Sequence, residues 1–481
     1  MACSYSAIGR RASSHRGDAL KLPDSQHGAL VRTLSLTDLL TLGFGAAIGW
    51  GWVIFPGLWV AQAGGLGVAV AFLAGGAVVM LVGLTYAELA SAMPWAGGEH
   101  AYALRALGRF GSFLCSWVLL QSYVSVLAFE AVAFSTALAE LLPVLQRGIL
   151  WHIRGAPVSA PAAGLGMAMG LALGWLNARG VKPAALSQTI ATALMSACGV
   201  LLMLAAMNHG LLHQQDRAPL GFHGLLGLAS VAMVAPSMLV GFDVIPQAAE
   251  EARVPLRYLG WAIVGSIAMA ILWYVGITLA VALVFGDGGT TVPLSAAAAM
   301  EQATGSHLLR HVMILSGVAG ILTSWNAFYI GASRMLYALG ESAMAPAFLA
   351  RIHPRHKTPH VSIWLLTALS LPAPLLGAKA LGWIVHAGGL GITLAYTTVA
   401  LSFVVLRIRE PQLPRPWKMP WGNVLGTLAF LGATGLAALY LPGSPIALHG
   451  IEWWLVGGWL AVGLMCWLFW GRPGMMPESH S

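Results

Sequence analysis

Two interruptions of apolar runs hold much of the chemically equipped backbone in this 481-residue chain. The first lies between Gly43 and Gly57, with Gly49, Trp50 and Gly51 at its centre and Pro56 following. Each glycine costs a helix about 1 kcal/mol and permits torsions that other residues avoid. Backbone unwound there exposes amide N–H groups to an anion and carbonyl oxygens to a cation. Taken alone, Gly49 and Gly51 are better explained by close packing of helices through small residues. The second interruption weakens that explanation. Gly241 sits between Pro236 and Pro246, next to Phe242 and Asp243. An acid inside an apolar span is costly and marks a functional position by default. Asp243 either pairs with a substrate ammonium or caps the half-helix that follows, its carboxylate accepting free N–H groups.

Other equipped side chains fall on further apolar runs. Gln121, Ser122 and Tyr123 lie mid-way along the third. Glu130 is about 10 Å further along a helix. It either draws cations into an outer vestibule or sits neutral and hydrogen-bonded inside the bundle. Thr323 and Ser324 offer two hydroxyl oxygens, which suit a hard cation. Such residues also commonly bond a carbonyl one turn earlier. Asn326 and Phe328 follow on the same run and are expected to face the cavity. Glu250 and Glu251 stand near Arg253 and Arg257, as a gate ion pair or, more simply, as solvated interfacial charges.

The elements that must position these residues are membrane helices. Hydrophobic residues make up 58% of the chain and charged residues 9%, with a mean hydropathy of +0.77. A soluble domain needs about 25% charged residues to cover its surface. A helix crosses the bilayer core with about 20 apolar residues. Reading apolar runs between charged or Pro/Gly breaks gives twelve spans. They lie near 36–62, 64–93, 110–142, 157–177, 184–208, 221–248, 258–286, 307–340, 361–377, 380–406, 421–441 and 451–470. The loops between them are short and leave no room for a large soluble domain.

Placing the N-terminus in the cytoplasm puts 20 of the 25 Lys and Arg inside. Only Arg147, Arg154, Arg217, Arg310 and Lys379 fall outside. A wrong span count would scramble that asymmetry, so both termini are expected in the cytoplasm. The formal charge of +8 is therefore topological and does not indicate a nucleic-acid partner. Cys3, Cys115, Cys198 and Cys466 are far apart, with no CxxC, and suggest neither a metal site nor a disulfide framework. Residues 1–32 are polar and basic, unlike a cleavable signal peptide, and Arg10-Arg11 reads as a cytoplasmic charge run.

These motifs together resemble the amino acid–polyamine–organocation (APC) superfamily of permeases. The first interruption is similar to that superfamily's Gly-rich first-helix motif. Gly241, Phe242 and Asp243, followed by Ala248, Ala249, Glu250, Glu251 and Pro255, resemble its sixth-helix signature. Tyr86, Ala87, Glu88 and Leu89, with Pro94, Gly97, Gly98 and Tyr102, resemble its second helix and the loop after it. Ser333, Arg334, Tyr337, Ala338 and Pro346, then His353, Pro354, Thr358 and Pro359, resemble the end of its eighth helix and the next loop. The resemblance implies an all-α membrane fold of the leucine-transporter type. Five-helix repeats of opposite orientation would occupy 36–208 and 221–406, with two extra helices at 421–470. Cytoplasmic tails would occupy 1–35 and 471–481.

It also implies a site between the breaks of helices 1 and 6. Amides around Ile48, Gly49, Trp50 and Gly51 would hold a carboxylate. Gly241, Phe242 and Asp243 would hold an amine, with Phe242 at the position of a gating aromatic; a ring at that place is otherwise core or lipid-facing. Tyr123 and Phe328 would complete the wall. Many relatives carry Ser where this chain has Trp50, and Ile where it has Trp52. Trp50 either enters the cavity, favouring a small substrate or an amine drawn to an aromatic face, or points to a neighbouring helix. Some relatives place a sodium-mimicking lysine on helix 5, but 184–208 contains no Lys or Arg. That position is then either empty or filled by a cation held by Gly45, Ile48, Thr323 and Ser324. Sodium coupling and proton coupling or exchange stay equally open.

The expected function is secondary transport of amino acids or related small amines, at the cell membrane. A proton-coupled or exchange-type polyamine transporter is the alternative. A membrane enzyme is the rival class, yet there is no HExxH, Gly-x-Ser-x-Gly or phosphate loop. Glu99-His100 falls in a loop, and His386 stands alone in the tenth span. A non-transporting sensor is a further rival, though no signalling domain is appended. No cofactor is expected beyond a coupling ion.

Overall fold

The glycines at the centre of the first span interrupt it. The computed structural model describes residues 30–212, 220–377, 379, 381–444 and 446–471. Nearly all of both tails, with Arg10, Arg11, Arg16, Lys21 and Arg472, and also Cys3 and Arg217, lies outside the described residues. Helix α1 (Leu36–Ile48) opens on a capping box. Ser35 Oγ accepts from the Asp38 amide at 3.2 Å, and Asp38 Oδ2 accepts from the Ser35 amide at 2.9 Å. After the break come α2 (Gly51–Ile54) and α3 (Pro56–Ala63), the latter opening on a proline whose missing N–H costs nothing there.

Two long helices follow, α4 (Gly65–Ala92) and α5 (Glu99–Leu141). Helix α5 begins eleven residues before the span expected at 110, because it continues through a kink where Gly108 has φ +78°. Glu99 and His100 therefore start a helix instead of lying in a loop. A two-stranded antiparallel hairpin, β1 (Ile149–Ile153) with β2 (Ala156–Ser159), precedes α6 (Ala160–Arg179) and α7 (Val181–Leu212). This hairpin corrects the all-α expectation. Its strands are only five and four residues long, and Arg154 and Gly155 break the apolar run between them, so no period of two extends far enough to show.

The sixth span is split into α8 (Leu225–Met238) and α9 (Val244–Gln247). Helix α10 (Arg257–Phe285) is followed by α11 (Ser295–Thr304), a short helix within a stretch read as loop. Next are α12 (His307–Glu341), α13 (His360–Ser370), α14 (Leu381–Arg409), α15 (Gly422–Ala438) and α16 (Ile451–Cys466). Seven of the described helices are long and apolar enough to cross a membrane. The apolar stretch of α12 is 83% buried and that of α16 only 17%, so α12 is central and α16 peripheral. The protein is a multi-pass, mostly helical membrane protein.

Buried ion pairs tie distant elements together. Glu251 and Arg334, each 1% exposed, form a two-pronged pair at 3.0 Å in both contacts. Arg334 is thus inside the protein and not a solvated loop charge. It also replaces Arg253 and Arg257 as the partner of Glu251, while Glu250 accepts from the Ala96 amide. Glu88 accepts from Arg407 Nε at 2.8 Å and from the Met419 amide at 2.8 Å. Arg415 Nε lies 2.8 Å from the same carboxylate, which joins α4 to α14 and to the loop after it. At the opposite end, Asp287 accepts from the Gly65 and Gly221 amides at 2.9 Å and meets His223 at 3.0 Å. Partial burial raises the Asp287 carboxyl, but these three contacts outweigh it and hold the group below its ordinary range.

Candidate functional site

The two interruptions touch. Gly241 has φ +138°, a torsion closed to L side chains, and a Cβ there would stand 2.6 Å from the Ala47 backbone nitrogen. Glycine is what lets the second break lie against the last turn of α1. Gly49, at φ +43° and ψ −140°, ends α1, and Trp50 returns to helical torsions before α2 begins. A helix start leaves its first amides without intrahelical partners, which places such groups at Gly51 and Trp52.

Asp243 is wholly buried beside this junction. Its Oδ1 accepts from the Gly241 amide at 2.9 Å and from the Tyr396 hydroxyl at 3.0 Å. Its Oδ2 accepts from the Tyr123 hydroxyl at 2.6 Å. The side chain makes no capping bond to α9. It clamps the break to α5 and α14 through the two phenol bonds. Phe242, 1% exposed, meets the edge of Tyr86 at 5.3 Å and is tilted against Tyr396 at 5.3 Å. Phe328 sits edge-on to Tyr123 at 5.2 Å. Gly241, Phe242, Asp243, Tyr123 and Phe328 are thus brought into one aromatic-walled group.

Trp50 follows the second of its two readings. Its ring lies on α12 at Gly317, where a Cβ would stand 2.3 Å from Trp50 Cζ3. Trp52 is fully buried and meets Trp273 edge-on at 5.2 Å. A Cβ on Gly51 would stand 3.0 Å from Met238 Sδ, so Gly51 faces the end of α8. Glu130 is 2% exposed and not at an outer vestibule. Its Oε1 would be 3.6 Å from a Cβ on Gly49, near Ser324, and its Oε2 has no hydrogen-bond partner.

The expected sodium ligands are engaged with one another and with their neighbours. Thr323 Oγ1 does reach the Gly45 carbonyl at 3.0 Å, but as a hydrogen-bond donor, and it also bonds the Gly320 carbonyl one turn earlier. The Ile48 carbonyl accepts from the Tyr274 hydroxyl at 3.1 Å. Gln188 Nε2 donates to the Thr41 carbonyl at 3.2 Å and would be 2.5 Å from a Cβ on Gly45. An amide of α7 therefore stands against α1 beside Gly45. Asn326 turns away from the junction, donating to the Ala184 carbonyl and to Gln188 Oε1.

Residues 34–466 match the amino acid permease family. The chain belongs to that family. The permease is 25% identical to a methylthioribose transporter of Bacillus subtilis over 93% of this chain and 95% of the relative. It is 30% identical to cationic amino acid transporter 9, chloroplastic, of Arabidopsis thaliana, over 89% and 77%. It is 26% identical to an aspartate-proton symporter of Bacillus subtilis, over 85% and 79%. The family is one of transporters and not of enzymes, and the last two of these relatives are named for amino acid substrates. Family membership implies the leucine-transporter type of fold.

Several residues of the junction escaped the sequence reading. Tyr396, Tyr274 and Gln188 have no local signature, since each meets its partner more than 140 positions away. The cue available was only that a polar or phenolic group sits within an apolar span, which is also true of many satisfied core residues.

Proposed function

We propose that this permease is a secondary transporter of amino acids or related small amines that works by alternating access around the two breaks. The observation that carries this reading is the contact of Gly241 with Ala46 and Ala47 beside the buried Asp243. Paired broken helices that meet inside a membrane are suited to hold a small zwitterion, with helix-start amides for its carboxylate and unwound carbonyls for its amine. Asp243 fixes the shape of the second break and leaves its carbonyls to the substrate. Phe242 and Tyr86 form an aromatic wall over it.

The twelve-span topology belongs to the same proposal. The seven long helices, the two broken spans, and α6, α13 and α15 make up that number. Cytoplasmic termini follow from the charge asymmetry, and two oppositely oriented repeats from breaks five spans apart and the family resemblance, with the cell membrane as the location. Glu251 and Arg334 then close the cytoplasmic side. A proton is the better coupling ion. Glu130 is a buried acid beside Gly49, and the relative named as an aspartate-proton symporter supports the same choice. Sodium is the second reading, favoured by the Thr323 hydroxyl at the Gly45 carbonyl.

The test is uptake by purified protein in liposomes, with a panel of radiolabelled amino acids and small amines under imposed H⁺ or Na⁺ gradients. Movement of at least one amino acid driven by the proton gradient is expected. A panel in which nothing moves refutes the transport reading. Uptake that collapses when Na⁺ is replaced by choline refutes the proton reading in favour of sodium.

A further inference from the structure

The bundle encloses a carboxyl group that the mechanism above does not use. Glu99 opens α5 and is 0% exposed. Two other acids buried at this end, Glu88 and Glu251, are each held by arginine. Glu99 is not. Its partners are neutral: the Gln247 side-chain amide reaches Oε2, and the Tyr86 hydroxyl lies beside the same carboxyl. Gln247 Oε1 and the Tyr102 hydroxyl, both buried, have no partner. The titratable groups close enough to feel its charge are Tyr86 from α4, Tyr102, Cys115 and Tyr123 from α5, Asp243 before α9, and Tyr396 from α14. None of them is a cation.

A dry carboxylate with no cation is strongly disfavoured, whereas a carboxylic acid gains an O–H that can donate to an idle acceptor. We propose that Glu99 is a proton-binding site on the cytoplasmic side of the second break, and that its proton is released only when α9 moves away. Gln247 is the last residue of α9, so the Glu99–Gln247 contact ties the acid to the broken helix. Gly98 is seated against Pro246, where a Cβ would stand 2.8 Å from Pro246 Cβ, and so keeps that contact close. While α9 is seated, water is shut out and the acid holds its proton. When α9 withdraws, water enters, the O–H bond breaks, the proton passes to water and the carboxylate is solvated. Tyr86 meets Phe242 edge-on at 5.3 Å, which links this site to the substrate junction.

This inference rests on the transport reading for its role, but its core claim is testable without transport. Infrared spectra of the protein in lipid at neutral pH should contain a protonated-carboxyl band that Glu99→Gln removes and Glu130→Gln leaves in place. Gln247→Leu keeps the acid but removes its donor, and should shift that band without abolishing it. If Glu99→Gln leaves the carboxyl region unchanged, the proposal is wrong whatever the protein transports. In liposomes, a one-unit pH gradient supports about tenfold accumulation per coupled proton. Using a radiolabelled amino acid from the panel, Glu99→Gln should lose that accumulation and keep counterflow. Accumulation equal to wild type would overturn the proposal, while an absence of transport in the wild type would sink only the functional reading.

Discussion

Asp243 shows how a single side chain can serve geometry when its chemistry suggests ligand binding. Three donors converge on its two oxygens, from Gly241, Tyr123 and Tyr396. Breaking one such buried hydrogen bond and leaving its partner unmatched costs about 1–3 kcal/mol. Asp243→Asn keeps the size but turns one acceptor into a donor that faces a hydroxyl or amide. We expect uptake to fall at least about tenfold, from the loss of roughly one such bond. Tyr396→Phe should lose less, because Tyr123 and Gly241 still hold the carboxylate. Uptake rates of the two variants in liposomes check the ranking, and equal losses would contradict the clamp.

At the scale of elements, the breaks in the first and sixth spans depend on glycines whose torsions or space nothing else can supply. Gly241→Ala puts a Cβ 2.6 Å from Ala47 N, in a torsion L residues avoid. Strain of this kind costs about 1–3 kcal/mol, and relief requires the two breaks to part. The variant should insert in the membrane yet lose transport. Gly435→Ala, within α15 and with nothing within 4 Å of the added carbon, should transport normally. Insertion and uptake measured side by side decide it. If both variants transport alike, the contact between the breaks is not required.

Across the whole molecule, buried ion pairs hold segments that the membrane alone would leave independent. Arg334→Ala strands Glu251 without its partner in a site 1% exposed. Breaking a buried pair this way costs about 3–5 kcal/mol. Its thermal unfolding temperature in detergent should drop clearly, and replacing both residues by apolar ones of similar volume should restore much of it. An Arg334→Ala protein as stable as wild type would show that the pair contributes little.

Part of this protein is written in local sequence. Apolar runs, glycine interruptions and the placement of Lys and Arg depend on neighbouring residues, and they mark membrane helices and the breaks at Gly49 and Gly241 without reference to the fold. The hairpin at 149–159, the extension of α5 to Glu99 and helix α11 were not legible, because short elements in loops lack a hydrophobic period. Side-chain direction was not legible either. Trp50 turned to Gly317, Asn326 to α7 and Glu130 to Gly49 only once helices distant in sequence had packed. Which acids find arginines was likewise decided by tertiary packing. Glu88 meets Arg407 over 300 positions away, Glu251 meets Arg334, and Glu99 meets an amide and a phenol but no arginine. Burial without a counter-charge arises from what surrounds a residue in space, and a sequence lists only what surrounds it along the chain.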